Sequence, residues 1–536
     1  MDRVPNNDSQ SLPSSSDGIN SPRTKKRAKI IIVGAGMTGL SCANHLLGKF
    51  KDACEEEEDS FYLSLEDIII LEADCRPGGR IHTIDIPINH GKDHLRYDAG
   101  AAWIHGDTCQ NPLVEYLIGK EKVRDDLKVI SLHGNPWTRP RVSLFDDPTR
   151  PLLELFTCME SDGYSTGEQM CIRDLLNGLD LYEALLNAAA KIGSAAYNLH
   201  EGKSLEADIS VSDAIQVIQP YVNRLGYNKN AKSAANFYLY LLELWHGHDL
   251  HTMPLAEIAL DAMPADGDDY HCHYTDTSNI GTDGDHPGSH CLAKHGMFDL
   301  VLSTLLEDIA GAVYYGREVI SIQKVNQGNS RESKETVLIE CSNGEVYEAL
   351  DHCVVTSSIG VLQKVIKRAD LPFFCPNISI EKKTLFFCLE MGSYYKLFMI
   401  FSQSWWSLKS PPFIGVEVEN SDISLLGPYI MVHNFWVNCC GTPALEVIMV
   451  GSKAKRMEAL EAIGASRAII TCLLKCNFAD KTVSLEDVLS LLVHCSSTNW
   501  GENRVSASML YGITFLQLMH LYISANERSI SLLAVN

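Results

Sequence analysis

A glycine-rich turn holds the first residues whose spacing indicates chemistry. The stretch AKIIIVGAGMTGLSCANHLL, residues 28 to 47, predicts a buried strand, a tight turn and a helix. In that turn, which includes Ala35, Gly34 permits the bend, Gly36 lets backbone approach a pyrophosphate, and Gly39 lets the helix pack closely on the strand. The helix N-terminus adds amide hydrogens and a positive dipole end, so the pattern predicts a dinucleotide phosphate site.

Two further groups extend this predicted site. Glu72 ends the next predicted strand, residues 66 to 74, and its carboxylate could accept hydrogen bonds from ribose hydroxyls or lie at the surface. Its distance from Gly39 exceeds the usual spacing of about 20 residues because the acidic loop CEEEED is inserted. In the RPGGRIHT segment that follows, Gly79 exposes backbone amides and Arg80 offers a forked cation to phosphate.

A lysine inside an apolar run is the second kind of signal. In MGSYYKLFMIFSQSWW, residues 391 to 406, Lys396 lies in a strand-like stretch. Burying an unpaired ammonium is costly, so this side chain is either an outward-facing strand residue or a functional group.

The elements around these residues predict an α/β fold. Strand patterns occur before residue 110 and again at about 313 to 355, whereas residues about 110 to 260 have mostly helical spacing of apolar residues. We therefore predict a Rossmann-like cofactor domain, 29–110 and 290–365, interleaved with a mixed helix-and-sheet substrate domain, 111–289 and 366–499. Residues 1–28 are predicted to be a disordered arm, and 500–536 an atypical, truncated tail.

Charge, hydropathy and cysteine content predict which kinds of partner and which cell compartment suit the chain. The charge, 45 basic minus 68 acidic residues, is −23, which disfavours nucleic acid and favours approach of a polycation. The absence of a long apolar run predicts no membrane span, and the ligand spacing around His271–Tyr274 predicts no metal. The 17 scattered cysteines predict reduced thiols and a cytoplasmic protein; TKKRAK could be a nuclear import patch or a solvated cluster.

Several motifs together resemble a known superfamily. The order GAGMTG, then LEA, then GGR resembles the flavoproteins that include amine oxidases, phytoene desaturases and protoporphyrinogen oxidases, and it implies FAD. The WIHG segment that contains Trp103 and His105 is similar to that of polyamine oxidases, where it passes the flavin and lines the amine tunnel. The resemblance implies that His105 faces the substrate. A neutral imidazole could accept a hydrogen bond from a substrate ammonium group, whereas a protonated one would repel it. The alternative is a histidine packed on a loop.

The same resemblance assigns Lys396 and Val319. Lysine followed by alternating apolar residues and two tryptophans resembles a family segment whose lysine is water-bridged to the flavin N5, which implies that Lys396 assists reoxidation by oxygen. The segment REVISI places Val319 where a backbone pair holds the adenine.

The implied reaction is oxidation of a polyamine such as spermine, spermidine or an acetylated form. The carbon next to a secondary amine gives a hydride to flavin N5, and the products are an aldehyde, a shorter amine and hydrogen peroxide. Acidic residues 266, 268 and 269 could rim an entrance or simply lie in a solvated loop.

The C-terminal sequence departs from the family pattern. The family's GSYS, GExT and YxGTxHGAxxSG segments have no counterpart after VHCSSTNWGENR, residues 493 to 504. Retention of FAD and activity of this form are therefore open, and an inactive relative is one alternative. Desaturases or porphyrinogen oxidases, and a histone demethylase-like amine oxidase, are the others.

Overall fold

The computed structural model of the protein describes most of the chain outside the two termini. The described residues are 25–48, 63–88, 91–105, 153–161, 164–199, 209–255, 290–292, 296–327, 334–368, 372–389, 391–407, 410, 413–418, 422–434, 442–476, 478–479 and 483–500.

Eighteen strands are found in these residues. They are β1 (Lys26–Val33), β2 (Ile68–Leu71), β3 (Thr83–Ile88), β4 (Asp93–Asp98), β5 (Trp103–His105), β6 (Leu153–Ser161), β7 (Tyr164–Gln169), β8 (His290–Leu292), β9 (Val313–Tyr314), β10 (Val319–Gln327), β11 (Lys334–Cys341), β12 (Val346–Val355), β13 (Phe374–Cys375), β14 (Tyr394–Phe401), β15 (Phe413–Glu417), β16 (Tyr429–Asn434), β17 (Ala444–Val450) and β18 (Leu492–Ser497).

The α-helices of the described residues include a helical block, formed by the three helices between residues 172 and 246. They are α1 (Met37–Leu46), α2 (Ile172–Leu199), α3 (Val211–Val222), α4 (Lys229–His246), α5 (Ser303–Leu306), α6 (Ile359–Ile366), α7 (Ile380–Cys388), α8 (Ile423–Leu426), α9 (Gly451–Glu458), α10 (Ala462–Lys475) and α11 (Leu485–Leu491). Within the part of the chain that the structure describes, no helix is long and apolar enough to cross a membrane.

The first sheet carries the glycine turn at the end of its central strand. Its order is β13-β10-β11-β12-β1-β2-β9, and β1 is parallel to both β12 and β2. The β-branched run of β1 is buried on both faces, as strands at the centre of such a sheet are. Val33 pairs with Leu71 and Val355, so the carboxyl ends of three strands meet where ligands bind in open α/β sheets.

The second sheet carries Lys396. Its order is β18-β14-β17-β16-β15-β6-β7, and the pairing is antiparallel except between β15 and β6. One face packs on α9 and α10 through Leu397 and Met399. The opposite face is covered partly by the helical block and partly by the β3–β4 hairpin, which brings Ile86 and Tyr97 against Phe398. The face that carries Lys396 is thus turned towards the first part of the chain.

The α/β class predicted from the sequence is confirmed. The strand patterns predicted at about 313 to 355 include a hairpin of β11 and β12, whose turn contains Asn343 and Gly344, the latter at a φ of 81°. The mostly helical interpretation of residues 110 to 260 is wrong for β6 and β7, which are strands of the second sheet. The division into two domains stays a prediction; the first sheet also includes β13, beyond the boundary placed at residue 365.

Candidate active site

The glycine turn has the shape that a phosphate group requires. Gly39 lies so close to the preceding strand end that a Cβ there would be 2.0 Å from the Gly34 carbonyl oxygen. At Gly36, in contrast, a Cβ would meet no described atom within 4 Å, and no side chain caps the start of α1 at that residue. The helix N-terminus therefore presents its backbone amides to an open space.

Glu72 lies directly beside this turn, as its predicted ribose role requires. Its side chain is 5% exposed, and its two carboxylate oxygens accept hydrogen bonds from the amides of Ala35 (2.7 Å) and Asp74 (2.8 Å). Burial raises the pKa of Glu72 above its usual value, against the lowering effect of those two amides. Each carboxylate oxygen retains a lone pair that a hydroxyl group could use.

The double-glycine turn joins the same site through its backbone. The Gly78 amide donates to the Ala35 carbonyl at 2.8 Å, and Gly79 has a φ of 55°. Arg76 holds this turn, because its guanidinium donates to the carbonyls of Gly79 and Ile81. Sequence analysis singled out Arg80 and missed Arg76, although both cations flank the same glycine pair.

The segment that contains Val319 also reaches Glu72. The Arg317 amide donates to the Glu72 carbonyl oxygen at 2.7 Å, and Val319 begins β10 with a buried side chain. The structure thus brings together the glycine turn, Glu72, the Gly79 turn and the start of β10. Their predicted contacts with a cofactor stay predictions.

Lys396 is buried and points towards the segment after β4. The residue is 8% exposed, and its Nζ donates to the carbonyl oxygens of Asp98 (3.0 Å) and Gly100 (2.7 Å). The next amide, that of Ala101, donates to the Arg80 carbonyl at 3.1 Å. A short path of backbone contacts therefore connects Lys396 with the double-glycine turn.

The strand β18 fixes the backbone on the other side of Lys396. The Lys396 amide donates to Thr498 Oγ1 at 2.8 Å, and the Thr498 amide donates to the Lys396 carbonyl at 2.9 Å. The sequence around Thr498 is the lead-in to the segment where the family pattern is lost. The first residues of this lead-in belong to β18, which pairs with β14 in the second sheet, while residues 501 to 536 lie outside the described part.

Glu446 is a buried acid close to Lys396 that sequence analysis did not select. Its Oε2 lies 3.7 Å from Lys396 Nζ and accepts a hydrogen bond from Tyr97 Oη at 2.8 Å, while its Oε1 lies 3.6 Å from His433 Nδ1. The Tyr97 ring stacks on Phe398 with centroids 3.9 Å apart. An acid in the middle of the apolar strand ALEVIMV was the available signal.

The electrostatics of this group favour a charged pair. Burial opposes ionisation of Glu446, but Lys396 and the contacts with His433 and Tyr97 hold the pKa of its carboxyl below the usual value. Burial raises the pKa of Tyr97 well above its usual value, so the phenol is a neutral donor to Glu446.

Other predicted positions are described only in part. The backbone of Trp103 and His105 forms β5, which pairs with β8 so that His105 is opposite His290. The roles given to both side chains stay predictions. Residues 266–269 and 271–274 lie outside the described residues, and elsewhere in the described chain no cluster of three or more possible metal-ligating side chains occurs.

The residues present fit FAD. An anionic pyrophosphate suits the open space before α1, and a buried carboxylate at the end of β2 suits a ribose. The lysine lies in contact with the segment that leads from this site into the second sheet. Fold and site together define a dinucleotide-binding protein of the α/β class.

Two family profiles match parts of the chain. A profile described as "Flavin containing amine oxidoreductase" matches residues 277–512, and one described as "NAD(P)-binding Rossmann-like domain" matches residues 32–117. Residues 277–512 thus resemble flavin-containing amine oxidoreductases, and this match supports FAD as the cofactor.

Individual relatives are distant. The chain is 24% identical to "Polyamine oxidase 3" of Oryza sativa over 75% of this chain and 65% of that protein. It is 32% identical to "Corticosteroid-binding protein" of Candida albicans over 19% of this chain and 18% of that protein. The chain thus covers less than two thirds of the length of these two relatives.

A solved structure shares the fold. Putrescine oxidase bound to putrescine superposes with a TM-score of 0.56 at 14% identity, over 91% of this chain and 88% of that one.

Proposed function

We propose that this protein oxidises polyamines, using FAD and molecular oxygen, to an aldehyde, a shorter amine and hydrogen peroxide. One observation carries the proposal: a buried lysine on the second sheet is held by backbone carbonyls of the segment that follows the cofactor turn. The likeness to a plant polyamine oxidase supports this choice within the family.

The cofactor would be held by the residues at the strand ends of the first sheet. The amides after Gly36 would bind the pyrophosphate, Glu72 the ribose hydroxyls, and Gly79 and Arg80 the phosphate on its other side. When bound, FAD supplies the acceptor for the two electrons that leave the amine carbon and passes them to oxygen.

Lys396 would supply a fixed positive charge next to that acceptor. Its ammonium cannot swing freely, because two of its three hydrogens donate to the Asp98 and Gly100 carbonyls. A preorganised cation stabilises the negative charge that develops on oxygen as it accepts electrons. Lys396 would therefore act mainly in the reaction with oxygen and less in the oxidation of the amine.

Substrate selection would follow from charge. A chain with a net charge of −23 attracts a polycation, and a neutral His105 could accept a hydrogen bond from one ammonium group of it. The reacting nitrogen must be neutral when its neighbouring carbon loses hydride, because a protonated amine has no lone pair to stabilise the forming iminium.

The test is a panel of amines with FAD-loaded protein. Spermine, spermidine, their N-acetylated forms and putrescine are supplied separately, and both hydrogen peroxide and aldehyde are quantified. We expect equal amounts of the two products from at least one polyamine, with the K396M variant as control. Flavin-loaded protein that yields neither product, yet dehydrogenates an apolar ring substrate, would instead support a desaturase or porphyrinogen oxidase.

A further inference from the structure

Glu446 is in an unusual position for an acid. It is 1% exposed in the middle of β17, where it is opposite Phe398 in the pairing with β14. A buried carboxylate costs free energy unless charge and hydrogen bonds compensate it. Lys396 lies diagonally across the two strands on the same face, which is the neighbour relation that antiparallel register creates.

Lys396 makes two kinds of contact, hydrogen bonds to neutral carbonyls and an ion pair with a carboxylate. Two ammonium hydrogens donate to the carbonyls of Asp98 and Gly100, which set where the nitrogen lies. Glu446 Oε2 lies 3.7 Å from the same nitrogen, so this contact is an ion pair and not a hydrogen bond. Carbonyl groups carry no net charge, whereas Glu446 places a buried opposite charge beside the ammonium.

The carboxylate itself is held from two sides. Tyr97 Oη donates to Oε2, and His433 Nδ1 lies near Oε1. A second carboxylate, that of Asp98, also interacts electrostatically with Lys396 and Glu446, but its hydrogen bonds come from the Met297 amide and Thr83 Oγ1, and Lys396 Nζ donates to the Asp98 carbonyl.

We propose that Glu446 is a positioning residue for Lys396: its buried carboxylate holds the ammonium on the Asp98 and Gly100 carbonyls, with Tyr97 and His433 fixing the carboxylate. The inference rests on the proposed function only in giving Lys396 a role with oxygen. The ion pair and its effect on stability do not depend on that role.

The first experiment measures the reaction of reduced protein with oxygen. FAD-loaded protein is reduced photochemically, so no amine is needed, and mixed with oxygenated buffer. We expect E446Q to lower the second-order rate constant by about 10- to 100-fold, the scale of loss that small misplacements of a reacting group cause. E446D should restore part of the rate, and the K396M/E446Q double variant should be no slower than K396M, because the two residues act as one unit.

A matched control variant distinguishes a misplaced Lys396 from a general loss of protein stability. Glu348 is also a fully buried acid paired with cations, but it lies in the first sheet. The E348Q variant should lose stability and keep the rate with oxygen. An equal loss of rate in E348Q and E446Q would overturn the inference.

The second experiment does not need FAD. Because the pKa of Glu446 is lowered on folding, its stabilising effect is present above the carboxyl's unfolded pKa and is lost as pH falls through the folded value. The difference in unfolding temperature between wild type and E446Q should therefore be largest near neutral pH and shrink under acid. A difference that is independent of pH would contradict an ionised Glu446.

The outcomes distinguish this inference from the proposed function. If K396M reacts with oxygen as fast as wild type, the proposed role of Lys396 fails. If K396M is slow and E446Q is as fast as wild type, the positioning role of Glu446 fails while the proposed function stands.

Discussion

Glu72 should control how tightly the cofactor binds. We expect E72A to weaken FAD binding by about 10- to 100-fold, the scale of losing hydrogen bonds to a charged group. Titration of FAD-free protein followed by flavin fluorescence measures this. E66A is the matched control, since Glu66 is an exposed acid in the turn before β2. Similar affinities of E72A and wild type would exclude Glu72 from the ribose site.

Two glycines of one turn should respond differently to alanine. G36A places a methyl group in open space, so the FAD-free protein should unfold at the wild-type temperature but bind FAD at least about 10-fold more weakly. G39A forces its Cβ against the Gly34 carbonyl, so it should cost about 1–3 kcal/mol of stability. Thermal unfolding and FAD titration distinguish them. A stable G36A variant with unchanged affinity would show that no phosphate lies there.

Single residues were predictable where their signal is local. The glycine turn, Glu72 and the double-glycine turn belong to one strand–helix–strand unit and the turn after it, and the parallel pairing of β1 with β2 makes them neighbours. Lys396 was selected because a cation in an apolar strand is costly. Glu446 gives the same signal, but its pairing with Lys396 depends on the register of β14 against β17. That register is a long-range property.

At the scale of elements, the first strand begins with a basic run that has structural partners. Lys25 and Arg27 pair with Glu348, which is fully buried in β12, and Lys26 lies over the Tyr314 ring. The run TKKRAK therefore helps to fix β1 beside β12. Nuclear import by this run stays a prediction, as does a cytoplasmic location.

Removing Glu348, the acid that pairs with Lys25 and Arg27, should destabilise the start of β1. We expect E348A to cost about 1–2 kcal/mol of stability, a modest value because both cations can turn to water. Thermal unfolding measures the change, with E318A as control because Glu318 is an exposed acid directly before β10 of the same sheet. An unchanged unfolding temperature for E348A would show that the basic run contributes nothing to β1.

Elements that depend on distant partners were the ones misjudged. β6 pairs in parallel with β15, which follows it by more than half of the described chain, and no local pattern reveals this partner. The surrounding residues have helical spacing of apolar residues, so β6 and β7 were included in the region predicted to be mostly helical. The hairpin of β11 and β12 was predictable because its Asn-Gly turn is contained in adjacent residues.

At the scale of the whole molecule, net charge should control encounter with substrate. A charge of −23 steers a polycation towards the protein, and salt screens this attraction. We expect kcat/KM for spermine to fall roughly 10-fold between low and moderately high salt. A monoacetylated substrate of lower charge is the control and should fall less. Equal salt dependence of both substrates would mean that the overall charge does not guide binding.

The whole fold joins its two sheets at the candidate site. Tyr97 of β4 stacks on Phe398 of the second sheet, and Lys396 of the same sheet reaches the backbone that follows β4. This junction could not be derived from sequence patterns, because it depends on how two sheets pack. The resemblance implied it by assigning both segments to one flavin site.

The most direct measurement is the visible spectrum of the purified protein before and after anaerobic addition of spermine. We predict the absorption bands of oxidised flavin, bleaching of these bands by spermine, and their return when oxygen is admitted. Flavin bands that spermine leaves unchanged would contradict polyamine oxidation, and a protein that stays colourless when supplied with FAD would contradict the cofactor site itself.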